Sequence, residues 1–121
     1  MPLQIKLEAT VIRPGQWLKG SVVWDFDSVP SKMELDVSWQ TSGKGTDDLD
    51  IVFEEEWSPD TKSGERSFQC QLPRGPISVH GNLISIGWQV ECNSKRPNAT
   101  ITVPFVLSQI EGPVLLSSLI S

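Results

Sequence analysis

Along most of the chain apolar and polar residues alternate with a period of two, the pattern of strands with one face buried and the other wet. Leu3, Ile5, Leu7, Ala9 and Val11 stand against Gln4, Lys6, Glu8 and Thr10. This predicts an opening strand that stops at Arg13-Pro14-Gly15, where proline removes a donor and glycine frees the backbone to turn. A second run, Trp17 to Phe26, places Leu18, Gly20, Val22 and Trp24 on one side, and Ser28-Val29-Pro30-Ser31 breaks it. In the third, Met33, Leu35, Val37 and Trp39 face inward against Lys32, Glu34, Asp36 and Ser38, as in a half-buried antiparallel strand.

Residues 41–48 read as a loop by composition. Ile51 to Trp57 reads as a strand despite Glu54, Glu55 and Glu56, and residues 58–64 as a turn-rich connection. Phe68, Cys70 and Leu72 alternate with Gln69 and Gln71 until Pro73. Ile84, Ile86, Trp88, Val90 and Cys92 form the cleanest inward row, followed by a turn over 93–98 and a last strand carrying Ile101, Val103, Phe105 and Leu107. About seven strands separated by turn signals, with no helix, predict an all-β fold: an antiparallel β-sandwich of immunoglobulin-like architecture over residues 1–107. Residues 108–121 form an apolar C-terminal tail. It packs on its own domain as an extra strand or flap, or else Val114, Leu115, Leu116, Leu119 and Ile120 contact a second chain and make a homo-oligomer.

Composition narrows the function. A chain of 121 residues is one domain, and buries roughly two-thirds of its unfolded surface without metals or disulfides. Ten Lys and Arg against fifteen Asp and Glu give a net charge of −5, which argues against nucleic acid or an anionic membrane surface as partner. No run approaches the ~18 apolar residues of a membrane span, so no integral membrane segment is expected. The opening residues lack the apolar stretch of a signal peptide, so the expected compartment is the cytoplasm. With a single histidine, two cysteines and no motif for phosphate, dinucleotide, zinc or serine chemistry, neither an enzyme nor a bound cofactor is expected.

Two stretches carry a family pattern. Arg13-Pro14-Gly15-Gln16-Trp17-Leu18-Lys19-Gly20-Ser21-Val22 resembles the first β-turn-β of arrestin-like domains. Phe68, Leu72, Pro73, Pro76, Ser78, Gly81, Ile84, Ile86, Trp88 and Val90 are spaced similarly to the Leu-Pro, Pro-x-Ser and Gly landmarks of the arrestin-like N-terminal domain. The resemblance covers most of residues 1–107 and implies a protein-interaction or scaffold module. Arrestins and their sorting relatives usually carry two such domains, whereas this chain has one, which could pair with itself. No phosphate-sensing charge cluster carries over. Independently of the family, Pro73 and Pro76 stop pairing and send the chain from one sheet to the other, and Gly81 permits a tight backbone before the strand restarts.

Some residues admit two readings. Cys70 and Cys92 fall on inward phases and read as buried free thiols, although a bridge across the sheets is conceivable. The acidic run Asp47, Asp48, Asp50, Glu54, Glu55, Glu56 and Asp60 reads as a solvated edge that repels strand-to-strand pairing, with a docking face for a basic partner or a Ca²⁺ site as alternatives. Glu54 and Glu56 project opposite to Glu55, so the triplet cannot converge on one ion. Of the five tryptophans, Trp24, Trp39 and Trp88 are in phase with the core. Trp17 and Trp57 read by default as core or cover residues, with a partner contact or a stacking platform for a sugar as the alternatives. His80 reads as a loop histidine with no partner set.

The sequence thus predicts a non-enzymatic interaction domain that binds protein partners through strand edges or loops. The alternative is a ligand-binding module, for carbohydrate through an exposed tryptophan or for Ca²⁺ through the acidic loop.

Overall fold

The computed structural model describes residues 2–43, 48–74, 76, 79–80 and 84–108. Among the described residues nine strands run in the order β1 (Leu3–Leu7), β2 (Val11–Ile12), β3 (Trp17–Asp25), β4 (Lys32–Gly43), β5 (Leu49–Trp57), β6 (Ser63–Gln71), β7 (Val79–His80), β8 (Ile84–Lys95) and β9 (Ala99–Leu107). The seven long ones are the seven periodic runs; the two short ones have no periodicity to read. A small sheet, β1-β3-β6, faces a large one, β2-β9-β8-β4-β5, with β7 added beside β8. The fold is an all-β sandwich of arrestin-like type.

The opening run is not one strand. Leu3 to Leu7 pair antiparallel with β3, whereas Val11 and Ile12 pair parallel with β9 in the opposite sheet. The switch takes three residues: the Glu8 amide still donates to the Lys19 carbonyl at 3.0 Å, and the Thr10 carbonyl already accepts from Val106 at 2.8 Å. Crossing between sheets resets the phase, so Ile12 is buried while Ala9 is exposed and Val11 only partly covered. Among the described residues the sandwich is therefore antiparallel except at this parallel pair.

Both inner faces meet in a dry core that includes Leu18, Val22, Met33, Leu35, Val37 and Val90. Trp88 and Phe105 are cross-strand partners with ring centroids 5.8 Å apart. Trp39 is partly covered and packs against the core, opposite Trp88 in an unbroken β4–β8 register; beside it the register of β5 shifts between Val37 and Ser38, with Val52 as the extra residue, and Ser38 is buried too. Strand β6 starts at Ser63, inside the segment read as a turn, because it pairs with β3 as far as Asp25. Likewise His80 lies in a short strand opposite Ser85 rather than in a loop.

The turn at Pro14 is tied to the end of β6. Gly15, at φ +81, donates to the Leu72 carbonyl at 3.1 Å, and Leu72 returns a bond to Gln16 at 2.9 Å. Gln71 adds a side-chain bond to the Gly15 carbonyl at 3.0 Å.

Candidate interaction surface

The outer face of the large sheet changes chemistry from one side to the other. Over β4 and β5 it is acidic. Glu54, Asp36 and Glu91 lie in one cross-strand row, and Glu56 and Glu34 lie opposite each other in the next. Like charges directly opposite across a ladder repel. Lys32 relieves the second row, reaching Glu34 at 2.9 Å and Glu56 at 3.1 Å, and its hydrogen bond holds the Glu34 carboxyl below the ordinary range. The first row has no such cation. Desolvation first, then the charges of Glu91, Glu54 and Glu34, push the Asp36 carboxyl up to about 6.

Glu55 points the other way, as alternation requires, and serves a different purpose. Strands β5 and β6 are the edges of the two sheets, and Arg66 of β6 donates to Glu55 of β5. The Arg66 guanidinium also sits 4.8 Å from the centre of the Trp57 ring. On its other side Trp57 meets Trp24, at 6.3 Å between centroids, and Trp24 donates from Nε1 to the Thr61 carbonyl at 3.2 Å. Trp57 is thus half-buried at the seam between the sheets, with its own indole N–H buried and unpaired.

Across the same outer face the surface turns apolar where the end of β9 meets β2. Thr100 and Thr102 occupy the outward positions at the start of β9, and Pro104 and Val106 those at its end. Val106 is 37% exposed. Beside it runs a groove of about 220 Å³ lined by Thr10, Val11, Ile86, Gly87, Trp88, Pro104, Phe105 and Val106, with no ionisable group among them. Gly87 makes the groove: a Cβ built there would touch nothing within 4 Å.

The structure keeps Trp17 and Trp57 apart. Trp17 stands 50% exposed at one end of β3, opposite Gln71. Trp57 lies at the seam, and Val114, Leu115, Leu116, Leu119 and Ile120 fall outside the described residues. Asp47 of the acidic run falls outside them too; among the described residues no three or more His, Cys, Asp or Glu side chains are placed to hold an ion. Sequence reasoning missed Val11, Gly87, Pro104 and Val106. The signal was the change from threonine to proline and valine on the outward phase of β9, but only the pairing of β9 with β2 and β8 turns it into a groove.

Cys70 and Cys92 are buried free thiols, one on each sheet. Burial pushes Cys70 up to about 11; burial, with the charges of Asp36 and Glu91, pushes Cys92 up to about 12. No described helix is long and apolar enough to cross a membrane.

No family model and no curated protein matches the chain. Among solved structures it is similar to Spo0M, a sporulation control protein of Bacillus subtilis, with a TM-score of 0.64 at 12% identity. The match covers 88% of this chain and 48% of that one, so the chain spans about half of Spo0M's length. Spo0M is itself an arrestin-like sandwich, and the likeness is one of fold.

Proposed function

We propose that this arrestin-like sandwich is a non-enzymatic regulatory domain that works by protein contact, and that its contact surface is the apolar end of the large sheet. One observation carries the reading: exposed Val106 beside an uncharged groove, on a sheet whose opposite edge is guarded by carboxylates. The acidic edge resists strand addition, which leaves the β2–β9 side as the surface open to an apolar partner. That Spo0M is a sporulation control protein is consistent with this role. We place the domain in the cytoplasm, where buried thiols such as Cys70 and Cys92 stay reduced.

The test is photo-cross-linking in cells of the source organism, with the probe placed at Val106 or, as control, at Glu54. Adducts to a defined second protein from position 106 and none from position 54 are expected. Equal capture at both positions, or capture at 54 alone, overturns the assignment.

A second reading rests on Trp17. Its half-exposed indole stands in a row with Gln71, next to the row of Lys19 and Gln69, on the outer face of the small sheet. An aromatic ring beside amides is the arrangement on which a sugar stacks. Quenching of Trp17 fluorescence by oligosaccharides, absent in Trp17→Ala, would support it; no quenching would dismiss it.

A further inference from the structure

The groove beside Val106 lies close to the point where the described chain ends. Strand β9 finishes at Leu107, and the Ser108 amide donates to the Ile12 carbonyl of β2 at 2.9 Å. Thirteen residues follow, 109–121, and the only charge among their side chains is Glu111. We propose that the apolar segment Val114–Ile120 of the same chain seats in this groove, so that an outside partner must displace it.

Three observations support this occupant over others. The first is reach. Gln109 to Pro113 can span at most ~17 Å when extended, while Val106 and Pro104 lie only ~7 and ~13 Å back along the strand from Ser108. Gly112-Pro113 is a turn-forming pair, placed where the chain must reverse. The second is chemistry. The groove lining carries no charge, and neither does Val114-Leu-Leu-Ser-Ser-Leu-Ile120. Leu116 and Ile120, four residues apart, share a side whether the segment is helical or extended. The third is concentration. A tether this short holds the segment near the groove at an effective concentration on the order of millimolar, which a second copy of the chain matches only in very concentrated solution.

The inference rests on reading the groove as a protein-contact surface, and its test separates the two claims. A photo-cross-linking amino acid replaces Leu116 in the full-length protein, and the adducts are resolved by mass and mapped by peptide. The expected product has the mass of one chain, with the link to β2, β9 or the Gly87 region. Gly87→Leu, which fills the groove where the backbone has room, is expected to reduce that product about tenfold. Hydrogen exchange gives a second readout without a probe: residues 114–120 of the unmodified protein should exchange about tenfold more slowly than in the Leu116→Asp/Ile120→Asp variant.

Links mapping elsewhere on the same chain overturn the proposal, as does exchange of 114–120 at the same rate in both proteins. A product of twice the mass also overturns it, assigning the groove to a second copy. In each of these cases the contact-surface reading stands or falls separately, by whether a probe at Val106 captures another protein.

Discussion

Arg66 lies over the ring of Trp57 at 4.8 Å while its guanidinium donates to Glu55, so one side chain of the small sheet binds two of the large sheet. This is the clasp along the β5–β6 side. A partly exposed ion pair adds little by itself, but here the same planar group also covers an aromatic face. Arg66→Ala is expected to cost about 1–2 kcal/mol in denaturant unfolding. Arg66→Lys should restore less than half, because an ammonium cannot both fork to a carboxylate and lie flat on a ring. Equal stability of the Lys and wild-type proteins would show that charge alone matters.

The Asp36 row makes stability depend on pH in an unusual direction. Its carboxyl titrates at about 6 in the fold and near 3.9 in the unfolded chain. Between those values the native state holds the extra proton, so this group lowers stability as pH rises through the window and leaves a deficit above it. The two-unit gap bounds the effect at about 3 kcal/mol, and solvent screening of a partly exposed carboxyl brings it nearer 1 kcal/mol. Asp36→Asn should therefore raise the melting temperature at about pH 8 and leave it almost unchanged at about pH 3, below both values. A gain of equal size at both pH values would mean that packing, not repulsion from Glu54 and Glu91, sets the effect.

Much of this was legible in the sequence and some was not, for identifiable reasons. The inward rows Leu18-Val22-Trp24 and Trp88-Val90-Cys92 follow from alternation alone, because burial on one face is a local constraint. The crossing at Glu8–Thr10 is invisible to that logic: the alternation continues while the hydrogen-bond partner changes from β3 to β9. The extra residue Val52 escapes for a similar reason, since the shift exists only in the pairing of β5 with β4. The placement of Arg66 on Trp57 depends on which two edges meet. So does the groove, where Gly87 and Val106, 19 positions apart, become neighbours only through β8–β9 pairing. Residue chemistry was readable; long-range juxtaposition was not.

The two cysteines should be chemically silent in the folded protein. With thiols pushed up to about 11 and 12, hardly any thiolate exists at neutral pH, and both sulfurs are buried. A disulfide-exchange reagent at about pH 8 should label neither thiol on mixing and both in denaturant, with the native rate following global opening. A thiol that reacts within seconds under native conditions would place Cys70 or Cys92 at a mobile surface instead.

Gly20 and Gly87 form a matched pair of backbone probes. A Cβ at Gly20 would press into the Lys6 carbonyl oxygen of β1 and come within 3.0 Å of the Phe68 ring of β6. The obstruction on one side is backbone already committed to pairing, so it cannot swing away. Gly20 is thus where β3 is pressed from both flanking strands. Gly20→Ala is expected to destabilise by about 2–3 kcal/mol, the range of overpacked cores. Gly87→Ala, whose Cβ meets nothing within 4 Å, should stay within about 0.5 kcal/mol of wild type. Urea midpoints of the two variants, measured side by side, test the packing of the sandwich at opposite faces. A costly Gly87→Ala would mean that the occupant of the groove packs directly on the β8 backbone there, and a harmless Gly20→Ala would mean that β1 is not held against β3.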